Sequence, residues 1–157
     1  MKLSKNLSLS EVIKSNTAIR RGIDNTPTDT HIENLKYLAE KVFQPLREHF
    51  GVPIYISSGY RSKALNEAIG GSKTSFHSHG MALDLDQDGK NRGVSNADVF
   101  YYIKNNLPFS ELIWEFGDKD NPNWVHVAIA KGRENEKKTV IAFKENSRTK
   151  YKKWDRD

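Results

Sequence analysis

The spacing of apolar residues predicts one long amphipathic helix in the first third of the chain. Apolar residues recur three or four positions apart over residues 32–50, so they form one stripe on a helix. Thr30 and Glu33 have the spacing of a capping box and are expected to begin this helix, and Gly51 is expected to end it. Pro45 lies inside the stripe, so we expect a kink or a break near it.

Shorter patterns predict the rest of the fold. A capping box at Ser8 and Glu11 predicts a short helix, and further helices are expected over residues 62–69 and from residue 95 or 96 to 106. Strands are predicted over residues 52–57, 82–86, 111–117 and 124–130, with an edge strand over 138–143. These elements indicate an α+β fold, in which helices pack on one face of a small, mostly antiparallel sheet.

Length and charge indicate one domain with a basic C-terminal extension. A chain of 157 residues can bury a core without disulfides, and this one has no cysteine. Residues 131–157 hold 10 basic and 5 acidic residues, whereas the charges of the remainder balance. Such an extension can attract nucleic acid, teichoic acid or a membrane surface. Mixed-sign charge is ordinary on protein surfaces, so we expect a solvated extension and no specific nucleic-acid binding. The oligomeric state is open, with a monomer as the default expectation.

Two segments of the sequence carry a potential metal site. They read Ser75-x-His77-x-x-Gly80-x-Ala82-x-Asp84 and Trp124-Val125-His126-Val127. In each predicted strand, alternate residues share a face, so Asp84 and His126 lie opposite apolar neighbours that face the core. Two imidazoles and a carboxylate are a typical ligand set for a catalytic zinc ion, which keeps a fourth position open for water. We therefore predict one Zn²⁺ held by His77, Asp84 and His126.

Two other metal ligations compete with this prediction. His79 lies two residues after His77 and could chelate a metal with it, or it could be an exposed loop residue or a substrate contact. The segment Asp84-x-Asp86-x-Asp88-Gly89 also matches the first half of an EF-hand calcium loop. An EF-hand needs an acid at the twelfth position, where this chain has Ser95, and it needs flanking helices rather than the strand predicted at Asp84.

The motifs as a set resemble the zinc D-alanyl-D-alanine carboxypeptidase family, which includes murein peptidases and phage endolysins and shares its fold with hedgehog domains. The resemblance covers roughly residues 5 to 145 and includes Ser57-Ser58-Gly59-Tyr60-Arg61-Ser62, Asn66, Gly70-Gly71 and both segments above. It implies zinc-dependent hydrolysis of a peptide bond in the peptidoglycan stem or cross-link. It also implies that His77, Asp84 and His126 are the zinc ligands.

The resemblance assigns further roles around the metal. Arg61 matches an arginine near the scissile carbonyl, where a guanidinium can stabilise a developing oxyanion. Ser75 is expected to stabilise a turn rather than to act as a nucleophile. Ser75, His79 and Tyr60 are the candidate substrate contacts.

The general base departs from the family pattern. Many members have an acid three residues before the last histidine, but here that position is Asn123, whose neutral amide cannot accept a proton from water. The remaining candidates are Glu115, Asp118 and Asp120. We favour Glu115, because a hairpin of the two predicted strands would bring it to the metal.

Two alternative functions remain open. Asn123 favours a zinc-containing module that binds the cell wall without catalysis. A nucleic-acid binder would use residues 131–157, but no other motif supports it. The N-terminus lacks the apolar stretch of a signal peptide, and no apolar run reaches the ~18 residues needed to cross a bilayer. We therefore expect synthesis in the cytoplasm, without membrane insertion, followed by action at the cell wall after phage-type release or by cytoplasmic recycling.

Overall fold

The structure, a computed structural model that describes residues 1–157, contains six α-helices and eight strands. The helices are α1 (Leu9–Ile13), α2 (Asn16–Arg21), α3 (Asp29–Leu38), α4 (Gln44–Phe50), α5 (Lys63–Ala68) and α6 (Asn96–Asn106). The strands are β1 (Lys2–Ser4), β2 (Leu7–Ser8), β3 (Ile56–Ser58), β4 (Ala82–Leu85), β5 (Glu111–Glu115), β6 (Trp124–Ala128), β7 (Lys138–Glu145) and β8 (Arg148–Lys153). A π-helical segment (Ala39–Phe43) joins α3 to α4, and a 3-10 turn (Phe76–His79) precedes β4. None of the helices combines the length and the apolar character that crossing a membrane requires.

Six strands form the main sheet in the order β3-β4-β6-β5-β7-β8, and β1 pairs with β2 in a separate ribbon. Every neighbouring pair in the main sheet is antiparallel except β5 and β7, which run parallel. The predicted α+β fold with a mostly antiparallel sheet is thus confirmed. The strand predicted over 138–143 is confirmed as β7, but its expected edge position is wrong, because β7 is an interior strand. The edge on that side is β8, which the sequence pattern did not predict.

The helices pack on one face of the main sheet. Alternation along the strands turns Leu83, Leu112 and Val127 toward this face, where each is fully buried. Leu35, Leu46 and Ile103 from α3, α4 and α6 join the same core, as do Phe100 and Trp114, whose rings meet edge to face. Side chains of the opposite face, among them Asp84, Ile113 and His126, form the floor of a cleft.

The long predicted helix begins two residues earlier than expected. Its N-cap is Thr28, not Thr30: the Thr28 hydroxyl accepts a hydrogen bond from the backbone N–H of His31, and the His31 ring accepts one from the Thr28 N–H. The interruption predicted near Pro45 is confirmed, since the π-helical segment ends just before Pro45 in the first turn of α4. Gly51 ends α4 as predicted.

The other predicted elements differ little from the observed ones. Glu11 caps α1 by accepting the Ser8 N–H at 2.7 Å, and α5 and α6 have their N-caps at Ser62 and Ser95. The strand predicted over 52–57 is shorter and lies later in the chain, as the three residues of β3, Ile56–Ser58.

Candidate metal centre

The 3-10 turn before β4 holds His77 in a fixed orientation. The Ser75 hydroxyl accepts a hydrogen bond from the His77 backbone N–H at 3.2 Å, so Ser75 stabilises the turn as predicted. The ring Nδ1 of His77 lies 2.7 Å from the carbonyl oxygen of Gly59. Because a carbonyl only accepts, Nδ1 carries the hydrogen and Nε2 keeps a lone pair for a metal.

Two glycines make this arrangement possible. Gly59 lies against α1, where an added Cβ atom would come 2.4 Å from the carbonyl oxygen of Val12. Gly80 has a φ of 72°, and an added Cβ atom there would come 2.6 Å from the carbonyl oxygen of His31. The chain therefore turns sharply between His77 and β4 against the first turn of α3, which glycine permits.

The three predicted ligands converge. Asp84 in β4 pairs directly with His126 in β6, and Asp84 Oδ1 lies 3.2 Å from both His77 Nε2 and His126 Nδ1. The three ligand atoms lie within 4.8 Å of one another. Tetrahedral zinc, with bonds of about 2.0–2.1 Å, separates its ligand atoms by roughly 3.3 Å, and the two 3.2 Å distances from Asp84 match that spacing.

The competing ligations are not observed. His79 is exposed and lies outside this group of three. Asp84 belongs to a strand, and Asp86 Oδ1 accepts hydrogen bonds from the Asp88 N–H and from Asn96 Nδ2, so this segment forms a local turn rather than an EF-hand.

A fourth side chain, which the sequence reasoning missed, fixes the second histidine. His126 Nε2 lies 3.0 Å from Glu111 Oε1. An ionised carboxylate only accepts, so Nε2 is the protonated nitrogen and Nδ1 is left to bind a metal. In the β5–β6 register, Ile113 faces His126, which makes Glu111 and Glu115 its two diagonal neighbours on the same sheet face. The alternation Glu111-x-Ile113-x-Glu115 was the available signal.

Burial and hydrogen bonds set the charges of the metal-free group. Burial favours a neutral Asp84, but the charge of His77 and hydrogen bonds from His126 and His77 hold the pKa of Asp84 well below its ordinary value. Burial also lowers the pKa of His126, but hydrogen bonds to Asp84 and Glu111 raise it to about 9. Asp84 and Glu111 are thus both ionised around neutral pH. Without a metal, His126 is protonated on both ring nitrogens, and a metal ion bound at Nδ1 would take the place of the hydrogen between Nδ1 and Asp84.

Glu115 is the candidate base that lies in the cleft. Glu115 is only 8% exposed. Burial raises its pKa to about 7, and the negative charges of Asp84 and Glu111 act in the same direction. The charges of His126 and Arg61 oppose this rise.

The other two candidate bases lie elsewhere. Asp118 and Asp120 are exposed and do not line the cleft. Asp118 Oδ1 instead accepts hydrogen bonds from the N–H groups of Asp120 and Asn121 in the β5–β6 loop.

Arg61 lies beside the same group. Its backbone N–H donates to the carbonyl oxygen of His77 at 3.1 Å, and its side chain lines the cleft. The guanidinium Nε is buried without a hydrogen-bond partner. Burial lowers the pKa of Arg61, which the charges of Asp84 and Glu115 partly offset. A buried donor without a partner is costly, so this atom is a ready contact for a bound ligand.

The predicted substrate contacts occupy different places. Ser75 and the exposed His79 line the cleft. Tyr60 is only 4% exposed, with its ring 4.9 Å from that of His31, and it borders a separate cavity of about 430 Å³. Contact between these residues and a substrate stays a prediction.

The cleft above the metal centre has a volume of about 1190 Å³. This exceeds the ~300–1,000 Å³ of sites for single small molecules, so it has room for a peptide of several residues. Besides Arg61, four basic side chains line it: Lys73, Lys131, Arg133 and Lys138.

Comparison with known proteins agrees with this geometry. The sequence pattern of the Peptidase M15 family matches residues 5–128, a shorter stretch than the 5–145 expected from the motifs. The chain therefore belongs to the Peptidase M15 family, of the zinc D-alanyl-D-alanine carboxypeptidase type. Membership supports a metallopeptidase hydrolase, and the His77, Asp84 and His126 group is where a metal ion can bind. A comparison with curated proteins finds no match.

Proposed function

We propose that this protein hydrolyses a peptide bond in the stem or cross-link of peptidoglycan, as a zinc-dependent carboxypeptidase or endopeptidase. The observation that carries the proposal is the convergence of His77, Asp84 and His126 on the floor of a peptide-sized cleft, with Glu115 and Arg61 beside them. Stem peptides carry free carboxylates, and the basic side chains along the cleft complement that charge.

The zinc ligands, Glu115 and Arg61 would each have a separate role in hydrolysis. A zinc ion bound by the three ligands would act as a Lewis acid and lower the pKa of a water molecule to ~7. Water adds across the amide, so the acyl carbon gains the oxygen and the C–N bond breaks. Glu115 accepts the proton of the water and returns it to the departing amine, a role that suits a carboxylate with a pKa near neutral. The Arg61 guanidinium stabilises the charge that develops on the carbonyl oxygen.

Mass spectrometry of digested peptidoglycan tests the proposal. Zinc-loaded protein is expected to release stem-peptide fragments, and a chelator is expected to stop the release. His77→Ala should abolish turnover, whereas Glu115→Gln should retain zinc and lose about 10²–10⁴-fold in rate. Glu67→Gln, an exposed glutamate outside the cleft, is the matched control.

The measurement also separates the alternative function. Asn123 in place of the usual acid keeps a non-catalytic wall-binding module as the second candidate. Zinc-loaded protein that binds purified peptidoglycan without cutting it would favour that module. Full activity in metal-free protein or in His77→Ala would contradict the proposed mechanism.

A further inference from the structure

One wall of the cleft lies outside the residues that match the family. The match ends at residue 128, but the cleft also includes side chains from β7 and β8. Parallel pairing with β5 brings β7 beside the metal centre, and β8 extends the sheet by one more strand. We refer to β7 and β8, residues 138–153, as the hairpin wall.

The strand registers align Tyr151 with Glu115. Trp124 faces Glu115, Glu115 is level with Ala142, and Ala142 faces Tyr151, so these residues form one row across four strands. Neighbouring strands are about 4.8 Å apart, which separates the backbones of Glu115 and Tyr151 by roughly 10 Å. Ala142 between them has only a methyl group, so the long Tyr151 side chain can extend across it toward the metal centre.

The surroundings of Tyr151 fit a contact with a ligand rather than with the core. The residue is 60% exposed although it lines the cleft. Partial burial raises the pKa of its hydroxyl, and so do the negative charges of Glu115, Glu111 and Asp84. Tyr151 shares the cleft with these three acids, and its hydroxyl stays protonated as a hydrogen-bond donor at neutral pH.

Other features of the hairpin wall suit an acidic peptide. Lys138 Nζ lies 3.9 Å from Glu111 Oε2 at one end of the wall, and its side chain is 66% exposed. Thr149 lines the cleft near Tyr151. The wall thus presents to the cleft one cation, one apolar side chain (Val140) and two hydroxyl groups, of which that of Thr149 accepts a hydrogen bond from Lys144 Nζ at 2.9 Å.

We infer that Tyr151 is a substrate-contacting residue, whose hydroxyl donates a hydrogen bond to a carbonyl oxygen of a peptide lying across His77, Asp84 and His126. The inference deepens the proposed function and rests on it for the identity of the peptide. It assigns to the hairpin wall a part in substrate binding.

Two measurements on Tyr151→Phe test this inference. The first is kcat/KM on purified stem peptides, and the second is the dissociation constant of acetyl-D-alanyl-D-alanine hydroxamate for the zinc-loaded protein, by calorimetry. Loss of one hydrogen bond should lower both kcat/KM and affinity about 3–10-fold. The control is Tyr55→Phe, because the Tyr55 hydroxyl contacts Arg92 and lies outside the cleft; neither quantity should change. Zinc content and melting temperature report whether each variant is intact.

The outcomes distinguish this inference from the proposed function. If the wild type cleaves stem peptides and Tyr151→Phe equals it in both measurements, the role of Tyr151 is wrong and the proposed function stands. If the wild type cleaves no stem peptide but Tyr151→Phe binds the hydroxamate more weakly, the proposed function is wrong and the contact stands. A variant that is weaker in both measurements, with an unchanged Tyr55→Phe, supports both.

Discussion

At the scale of single residues, two glutamates of one strand have pKa values that are shifted in opposite directions. Glu111 and Glu115 share a face of β5 and flank His126. Burial disfavours the charge of Glu111, but its hydrogen bond with His126 and the nearby Lys138 and Arg133 keep its pKa low. Glu115 has no such hydrogen bond, and burial raises its pKa to about 7 despite the charges of His126 and Arg61. Separated pKa values in one site favour separate roles, with Glu111 orienting a ligand and Glu115 moving a proton.

The raised pKa of Glu115 predicts how the stability of the metal-free protein depends on pH. The folded state binds more protons than the unfolded state between about pH 4.5 and 7, so Glu115 contributes stability at low pH that is lost as pH rises through 7. Glu115→Gln removes this titration. The unfolding free energy of the wild type minus that of the variant should fall by up to about 3 kcal/mol between pH 4.5 and 8. Urea denaturation at both pH values measures it, and equal pH profiles would contradict it.

The hydrogen bond between Glu111 and His126 predicts weaker zinc binding when it is removed. A carboxylate that fixes the tautomer of a ligating histidine typically contributes 10–100-fold to metal affinity. Glu111→Ala removes the acceptor and should therefore raise the zinc dissociation constant about 10–100-fold, measured by competition with a chelator. Glu145→Ala, an exposed change at the end of β7, should leave it unchanged. Equal affinities for the two variants would exclude this role for Glu111.

At the scale of helices and strands, the sequence predicted those elements whose ends and faces are determined by interactions between residues close in the chain. The helix caps at Ser8, Ser62 and Ser95 and the strands around Asp84 and His126 all follow from short-range chemistry. The start of α3 was misplaced by two residues, because Thr28 uses a histidine where a capping box normally has a glutamate.

The parts of the candidate site that lie in recognisable sequence motifs were predicted, and the parts that depend on strand pairing were not. The ligands were predicted because their spacing is specific, but Glu111 was missed because its role depends on the β5–β6 register. The place of β7 depends on a parallel pairing with β5, which leaves no signal in either strand. Every residue of β8 is exposed, so the strand lacks the apolar alternation that would have revealed it.

β7 lies outside residues 5–128, which match the family, but it is an interior strand. A core substitution in β7 should therefore lower the unfolding free energy as much as one within residues 5–128. Ile141 is 1% exposed and belongs to the main core, so Ile141→Ala should lower the unfolding free energy by about 2–5 kcal/mol. Lys150 is exposed on β8, and Lys150→Ala should change it by less than about 0.5 kcal/mol. Chemical denaturation of both variants measures the difference. A small effect of Ile141→Ala would mean that β7 is loosely attached.

At the scale of the whole molecule, the metal centre joins distant parts of the chain. The candidate ligands lie at positions 77, 84 and 126, and the groups that orient the two histidines lie at positions 59 and 111. A bound ion would connect the turn before β4 directly with β4 and β6, and with β5 through the hydrogen bond between His126 and Glu111. Binding to the folded state alone stabilises that state.

Zinc is therefore expected to raise the melting temperature of the protein. At a free concentration 100 times the dissociation constant, binding adds about 2.7 kcal/mol, which corresponds to roughly 5–10 °C for a chain of this size. Scanning calorimetry with zinc and with a chelator measures the shift, and His77→Ala should lose it. If the chelator does not change the melting temperature of the zinc-loaded wild type, a metal bound by His77, Asp84 and His126 would be contradicted.

The parallel pairing of β5 and β7 also has a consequence for how the chain assembles. β5 and β6 can close on each other through a short loop, but β7 must return from beyond β6 to reach the far side of β5. During synthesis, the strands that carry the ligands leave the ribosome first, and the segment that shields β5 arrives last. Until then, β5 exposes a row of backbone donors and acceptors that can capture a strand from another nascent chain. Truncation before residue 138 would make that exposure permanent, so shortened chains are expected to aggregate.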